Sequence, residues 1–322
     1  MDKLYFLING YGILYKFVTK MLPRNACIVA MAVMIVCSAQ ALAQTPSEDG
    51  IEMQQIRLIN HSLAEGNCAD AQKYYNTWKV LTGTTNSDIE NSLAECVAAA
   101  QRSKLTFSVK GVDFDMVFVV GGSYFFGLPA TGPVEGRNYD EVSVGSFYIG
   151  ATEVTQKLWR AVLGDNPSSN IGDNLPVEDM TYDDIVLRFL PELNRITGRT
   201  FVLPTEAEWE WAARGGRKSR NFIYSGGDHI PDVAWYYDNS GNVSHPVAQG
   251  KANELGLYDM SGNVWEWCSD WYYDRSDAAP GRKVARGGCW HYSPKGCRII
   301  YRDGFYTNRY YRDGGFRLLL KQ

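Results

Sequence analysis

Apolar positions between residues 50 and 101 recur with helical spacing and predict three short amphipathic helices. The first helix is expected to end at Gly66 and the second at Gly83, because glycine commonly follows the last helical turn. The third is expected to begin at Ser87, which has the spacing of a capping box with Glu90. This part of the chain therefore predicts a small all-α unit.

From Leu105 onward the pattern changes to short apolar stretches, alternating positions and glycine-rich turns, which is typical of strands and loops. The stretch FDMVFVVGGSYFFG predicts a strand and a hairpin that turns at Gly121 and Gly122. Two later stretches, GNVWEWCSDWYY and GGFRLLL, are rich in Trp and aliphatic residues and indicate buried strands or turns.

Two helices interrupt this strand-rich region. The stretch TYDDIVLRFLPELNRITG opens with a capping box between Thr181 and Asp184, and LPTEAEWEWAARGG opens with one between Thr205 and Glu208. Two helices among many short strands predict an α+β domain rather than a sandwich or a Rossmann fold. Three segments are predicted: an N-terminal extension and signal peptide over 1–43, a helical tetratricopeptide-like unit over 44–104, and an α+β domain over 105–322.

The residues from Met21 onward have the pattern of a secretory signal peptide. A basic Arg24 precedes an apolar stretch over 26–36, and small residues at 41–43 provide a cleavage site. The apolar stretch is shorter than the ~20 residues that a membrane-spanning helix needs. We expect export to the periplasm, the cell surface or the medium, with a transmembrane anchor or a lipoprotein signal at Cys37 as alternatives.

The charge balance limits the choice of partner. Residues 1–43 carry a net charge of +3, so their removal changes the formal net charge from −4 to −7. An acidic chain without a polybasic run is a poor binder of nucleic acid or of anionic membranes. We therefore expect no nucleic-acid partner and no transmembrane span in the mature chain.

Five cysteines remain after the predicted cleavage, and an oxidising compartment would allow them to form disulfides. Cys68 and Cys96 lie at comparable places in two of the predicted helices, so we predict that they pair. Two buried free cysteines are the alternative. An odd count leaves at least one thiol over, either buried and inert or reactive.

Five long motifs of the second domain are familiar as an ordered set: TEVTQKLWRAVLGDNPS, PVEDMTYDD, FVLPTEAEWEWAARGG, NELGLYDMSGNVWEWCSDWY and RGGCW…CR…GFRL. Over roughly residues 112–320 the chain resembles the formylglycine-generating enzyme (sulfatase-modifying factor) family. The resemblance implies a variant of the C-type lectin fold with much irregular structure. It does not by itself imply catalysis, because function depends on the site.

The oxidases of this family convert a cysteine of a sulfatase-type peptide to formylglycine, with oxygen and a copper ion held by two cysteines. Cys297 matches the second of these cysteines, but Tyr292 stands at the first, and a phenol cannot replace a thiolate for Cu(I). We expect no catalytic residues; the alternative is an oxidase in which Cys289 and Cys297 hold copper as a shifted pair. The resemblance also implies a disulfide between Cys268 and Cys297, whose motifs come together in the family fold.

The resemblance further implies a calcium site in the stretch LYDMSGNVWEW. The matching positions are Asp259, Gly262, Val264 and Glu266, and two carboxylates with intervening carbonyls suit Ca²⁺. The alternative is a structural turn in which Glu266 pairs with an arginine. A second family calcium site looks lost, since Trp235 falls where a ligand Asn would be.

The chain between Gly288 and Gly315 combines scaffold residues with Tyr, Arg, His, Asp and Gly, a composition typical of binding surfaces. An aromatic and Arg-rich segment retained for structural reasons is the alternative, and it is the expected role of Arg298, Arg302 and Arg317. The side chains predicted to bind ligand on an exposed face are His291, Tyr292, Tyr301, Asp303, Tyr306, Tyr310, Tyr311 and Arg312.

Part of this family also resembles the variable proteins of diversity-generating retroelements, whose C-terminal segment mutates wherever the template has adenine. Asn codons ending in C cannot reach Lys, Gln, Glu, Met or Trp by this route. From His291 to Gly314 only Lys295 belongs to these types, where ordinary usage would give about five. We therefore predict an exported, non-catalytic protein that displays a binding surface for a protein or a glycan, diversified or not.

Overall fold

The computed structural model describes residues 48–64, 68–135, 137–273 and 281–321, and the predicted signal peptide lies outside these residues. The chain divides into two compact units between Arg102 and Ser103, and each unit is treated by itself. Within the described residues, none of the helices is both long and apolar enough to span a bilayer.

The described part of the first unit contains three helices: α1 (Glu48–Ala64), α2 (Cys68–Thr82) and α3 (Ser87–Ser103). As for most helices in proteins, their stability comes mainly from packing an apolar face. The shared core consists of Ile59, Ala71, Tyr75, Trp78 and Leu93.

The first turn of α3 is capped by a residue that the sequence interpretation missed. Asn86 Oδ1 accepts hydrogen bonds from the backbone N–H groups of Asp88 and Ile89, at 3.0 and 3.1 Å. The predicted capping box of Ser87 and Glu90 is therefore wrong, because the N-cap is Asn86, a favoured capping residue one position earlier, and Ser87 is already the first helical residue.

The predicted pairing of Cys68 with Cys96 is confirmed. The bond joins the first residue of α2 to α3 across 28 residues of sequence. Closing a loop of that length stabilises a small unit by about 3.5 kcal/mol in the chain-entropy account.

The described residues of the second unit form three sheets. A five-stranded antiparallel sheet has the order β1-β2-β5-β11-β6, a four-stranded sheet has the order β10-β7-β8-β9, and β3 pairs with β4. The last strand of the chain, β11, is thus an inner strand between β5 and β6. The strand bounds are β1 Lys104–Val109, β2 Val112–Val119, β3 Gly122–Phe125, β4 Glu141–Val144, β5 Phe147–Gly150, β6 Phe201–Val202, β7 Trp265–Trp271, β8 Arg282–Arg286, β9 Arg302–Tyr306, β10 Gly314–Gly315 and β11 Leu319–Lys321.

The predicted hairpin at Gly121 and Gly122 is not formed. The strand β2 instead turns from β1 through Lys110 and Gly111, which both have positive φ, as a tight hairpin turn requires. Gly121 is needed for another reason: a Cβ atom there would lie 2.5 Å from the carbonyl oxygen of Val144. The glycine therefore marks a close backbone approach and not a reversal.

Three helices pack on these sheets: α4 (Gln156–Leu163), α5 (Leu190–Thr197) and α6 (Glu206–Ala213). The predicted capping box that opens α6 is confirmed. The residues before α5, Asp184–Phe189, form a π-helical stretch instead of the predicted α-helix. Pro191 explains the difference, because proline lacks an N–H and its ring crowds the preceding turn, which a wider turn relieves.

Candidate functional site

Residues 289–313, hereafter the C-terminal segment, lie between β8 and β10 and include the edge strand β9. The segment begins after two glycines, Gly287 and Gly288, with φ of 92° and 75°. A Cβ atom on Gly288 would lie 2.7 Å from the carbonyl oxygen of Gly296, so the chain folds back on itself here with no room for a side chain. This close contact fixes the start of the segment.

Aromatic packing supports the segment from below. Trp265 is fully buried, and Tyr292 meets it edge-on at 5.0 Å between ring centroids. Tyr311 stacks on Phe305 at 4.0 Å, and its hydroxyl accepts a hydrogen bond from the backbone N–H of Tyr306 at 2.9 Å. Each of these tyrosines is held both by ring contacts and by the backbone, so the support is rigid.

The predicted ligand-binding side chains divide into two groups. His291, Tyr310 and Arg312 are exposed, and Tyr310 retains 69% of its accessible surface. The others are not fully exposed as predicted: Tyr292, Tyr301 and Tyr311 pack on Trp265 or Phe305, Tyr306 lies against Arg282 and Arg309, and Asp303 accepts from Gly304 N–H. These half-buried side chains are Tyr292, Tyr301, Asp303, Tyr306 and Tyr311.

Two of the three arginines expected to be structural have that role. Arg302 forms a two-pronged ion pair with Glu206, with both N–O distances at 2.7 Å, and the fully buried Arg317 binds Glu266 at 2.5 and 2.6 Å. The expectation for Arg298 is wrong: its side chain is exposed, and only its backbone carbonyl, which accepts from the N–H of Tyr301, holds the local turn.

A buried ion network joins α6 to the C-terminal segment, and the sequence interpretation missed it. Glu206 and Glu210, in the first two turns of α6, are both buried against the fully buried Arg286. Arg286 also donates to the backbone carbonyl of Tyr301 at 2.6 Å. A repeat of Glu at i and i+4 among tryptophans was the available signal, because carboxylates on an apolar helix face need buried cations.

Among the described residues, Cys268, Cys289 and Cys297 are free and buried, so the predicted disulfide between Cys268 and Cys297 is wrong. The two thiols belong to different cores: Cys268 packs with Trp209 and Val284, whereas Cys297 packs with Tyr224 and other apolar side chains. Burial raises the pKa of both thiols, that of Cys297 to about 12, so both are protonated near neutral pH.

The thiol of Cys289 has polar neighbours instead. Its Sγ lies 3.3 Å from His291 Nδ1 and 3.3 Å from Asp313 Oδ2. His291 Nε2 in turn lies 3.6 Å from Asp313 Oδ2. Burial, together with the Asp313 charge, raises the pKa of the Cys289 thiol well above its usual range. The backbone N–H of Cys289 also hydrogen-bonds to the Cys297 thiol, so the two cysteines are neighbours, but burial keeps both thiols protonated, whereas Cu(I) needs thiolates.

The four residues of the expected calcium site do not fit the ion as arranged. Glu266 gives both carboxylate oxygens to Arg317, and one of them also accepts from Trp209 Nε1 at 2.6 Å. A cation ligated by Glu266 would face the guanidinium of Arg317, which already neutralises this carboxylate. Asp259 is engaged as well, since its Oδ2 accepts from the N–H of Ala248.

A further carboxyl group lies beside Asp259. Glu153 is buried, and neither of its carboxyl oxygens has a hydrogen-bond partner among the described residues. Burial is the main cause that raises the pKa of Glu153, and it raises the pKa of Asp259 to about 6. Protonation therefore relieves the repulsion between the two carboxyls and lets them stay buried.

Irregular loops, short sheets and a buried aromatic core define an α+β domain with a C-type-lectin-like fold. Residues 107–322 match the family model described as sulfatase-modifying factor enzyme 1-like domain, and the chain belongs to this family. The chaperone protein LppX of Paenibacillus barcinonensis is 34% identical over 258 residues, which cover 65% of this chain and 90% of LppX. The formylglycine-generating enzyme of Streptomyces coelicolor is 34% identical over 156 residues, which cover 41% of this chain and 47% of the enzyme.

Solved structures show the same fold. Treponema denticola variable protein 1 matches with a TM-score of 0.62 and 29% identity, over 68% of this chain and 99% of that protein. PvdO from Pseudomonas aeruginosa matches with a TM-score of 0.58 and 22% identity, over 68% of this chain and 98% of PvdO. The similarity to the Treponema denticola protein includes the sequence, whereas the similarity to PvdO, at 22% identity, is one of fold alone.

Proposed function

We propose that this chain is an exported protein that binds a protein or a glycan through its C-terminal segment and does not turn its ligand over. The observation that carries the proposal is the group of His291, Tyr310 and Arg312, exposed above a rigid aromatic support. The helical unit would serve as an adaptor or spacer.

A support that is already ordered lowers the entropic cost of binding. Binding costs free energy when flexible side chains become ordered, and a support of stacked rings has already been ordered by folding. Tyrosine and arginine then supply large contact areas and several hydrogen bonds from few residues. The exposed side chains of the segment contribute little to the core, so they are free to differ between related chains.

The division between exposed side chains and a buried support favours diversification of the C-terminal segment. Treponema denticola variable protein 1, whose name records its variability, shares 29% of its sequence with this chain. The near absence of Lys, Gln, Glu, Met and Trp from His291 to Gly314 is compatible with adenine-directed mutation. An undiversified binding or accessory module is the alternative within this class.

An oxidase that forms formylglycine is the second candidate, because the Streptomyces coelicolor enzyme is 34% identical and Cys289 and Cys297 are both free. Two features oppose it. Tyr292 occupies the first cysteine position, and burial keeps both thiols protonated. Mass spectrometry of a Cys-x-Pro-x-Arg peptide incubated with the protein, Cu(I) and oxygen decides: conversion to the aldehyde would establish the oxidase.

Ligand binding is tested by screening the protein against a glycan array and a displayed peptide library. The variant His291→Ala/Tyr310→Ala/Arg312→Ala is expected to lose any binding that the wild type shows. The matched control Leu187→Ala/Arg199→Ala/His229→Ala removes exposed side chains outside the C-terminal segment and should bind as the wild type does. Equal binding by both variants would refute a role for the segment.

A further inference from the structure

We propose that Cys289, His291 and Asp313 form a binding site for a divalent transition-metal ion, with Zn²⁺ as the best match. One donor atom from each residue lies within 4.8 Å of the other two. The site shares His291 with the proposed ligand-binding surface, but metal binding is measured without a ligand and does not require Tyr310 or Arg312. The site also differs in donors from the two-thiolate copper pair of the oxidases, with which it shares only Cys289.

The two donor distances from the Cys289 sulfur match a coordination shell, and all three donor atoms lie within 4.8 Å of one another. Tetrahedral Zn²⁺ with ordinary Zn–S, Zn–N and Zn–O bonds places its ligand atoms about 3.3–3.6 Å apart. The thiol of Cys289 is 3.3 Å from both His291 Nδ1 and Asp313 Oδ2. An ion could therefore be accommodated with small side-chain movements once the thiol proton is released.

Backbone contacts hold the ligands in place. Trp290, between two of the ligands, donates its N–H to the carbonyl of Asn263 at 2.8 Å. The carbonyl of Asp313 accepts from the N–H of Trp265 at 2.7 Å. Rigid placement of this kind lowers the cost of assembling a metal site, because the ligands need not be ordered on binding.

The burial gradient indicates an open position. Cys289 is fully buried, the Asp313 side chain is 12% exposed, and the His291 side chain is 39% exposed. A metal at the centre would thus be closed on the side of Cys289 and open to solvent beside His291. Three protein ligands with one open position allow water or a ligand group to bind the ion.

The donor set selects among ions. Ca²⁺ requires several oxygens, and Cu(I) favours two soft sulfur ligands, whereas one thiolate, one imidazole and one carboxylate suit Zn²⁺. A thiolate and a carboxylate also balance the two charges of the ion, so the buried site would be neutral. A simple hydrogen-bonded cluster without metal is the competing interpretation.

The test uses Zn²⁺ titration calorimetry and Co²⁺ absorption with the full chain. Wild type is expected to bind one ion and to show thiolate-to-Co²⁺ charge transfer in the near ultraviolet. Cys289→Ser should abolish that band, and His291→Ala should weaken binding at least about tenfold. Cys297→Ser and Cys268→Ser remove buried thiols outside the cluster and should leave both signals intact.

His291→Ala is the variant least expected to disturb folding, because the His291 side chain is 39% exposed, and near-ultraviolet circular dichroism checks that the fold is kept. Three outcomes would overturn the proposal. They are no stoichiometric binding by wild type, binding that His291→Ala leaves unchanged, and binding that Cys297→Ser removes as fully as Cys289→Ser does.

Discussion

Arginines of the C-terminal part of the chain occupy two opposite environments. Arg286 and Arg317 are fully buried and ion-paired to glutamates from other elements, whereas Arg298 and Arg312 are exposed in the C-terminal segment. The side-chain type is the same, and only the presence of a carboxylate on α6 or β7 differs. Buried pairs thus build the scaffold, while the exposed members leave a surface that can change without damage to it.

The largest effect is expected from the buried pair of Arg317 and Glu266. Arg317→Met would leave the Glu266 carboxylate buried with one donor, Trp209 Nε1, and should lower the free energy of unfolding by about 3–5 kcal/mol. Arg312→Met, the matched exposed variant, should change it by less than about 0.5 kcal/mol. Urea denaturation followed by tryptophan fluorescence measures both free energies of unfolding. Equal losses in the two variants would remove the distinction between buried and exposed arginines.

A second effect concerns the buried carboxyl of Glu178. This carboxyl accepts a hydrogen bond from the N–H of Asn170, and the exposed Arg312 is among its charged neighbours. Burial raises the pKa of Glu178 from 4.5 to about 7. Between these two pH values the unfolded chain loses the proton and the folded chain keeps it, so this contribution to stability is complete below pH 4.5 and is lost as pH rises through 7.

The shift corresponds to about 3 kcal/mol, which Glu178→Gln should remove because its amide cannot ionise. The measurement is the loss of unfolding free energy between about pH 5 and about pH 8, which should be smaller in this variant than in wild type. Glu141→Gln, at an exposed position of β4, should retain the wild-type slope. Identical slopes for wild type and Glu178→Gln would contradict the assignment.

Local signals in the sequence were sufficient where the chain determines structure by itself. The helix of Glu206–Ala213 and its Thr205 cap follow from residues three apart, and the pairing of Cys68 with Cys96 follows from two adjacent helices. The π-helical stretch before Pro191 could not be predicted from local signals, because the helical pattern of apolar positions continues through it.

Long-range contacts are where sequence reasoning failed. Nothing near Glu206 and Glu210 in sequence reveals that Arg286 and Arg302 lie against them, about 80 to 100 residues later. The cluster of Cys289, His291 and Asp313 could not be predicted for the same reason. Asp313 lies 24 residues after Cys289 and directly precedes β10, whose pairing with β7 fixes its position. Family motifs gave the order of elements, but not which thiols share a core.

The smallest expected effect gives the sharpest comparison, because it separates two neighbouring residues. Tyr310 is 69% exposed, so Tyr310→Ala should change the free energy of unfolding by less than about 0.5 kcal/mol. Tyr311 stacks on Phe305 and holds the backbone of Tyr306, so Tyr311→Ala should cost about 2 kcal/mol or more. If Tyr310→Ala were as destabilising as Tyr311→Ala, the exposed set would belong to the scaffold, and a surface that tolerates substitution could not include it.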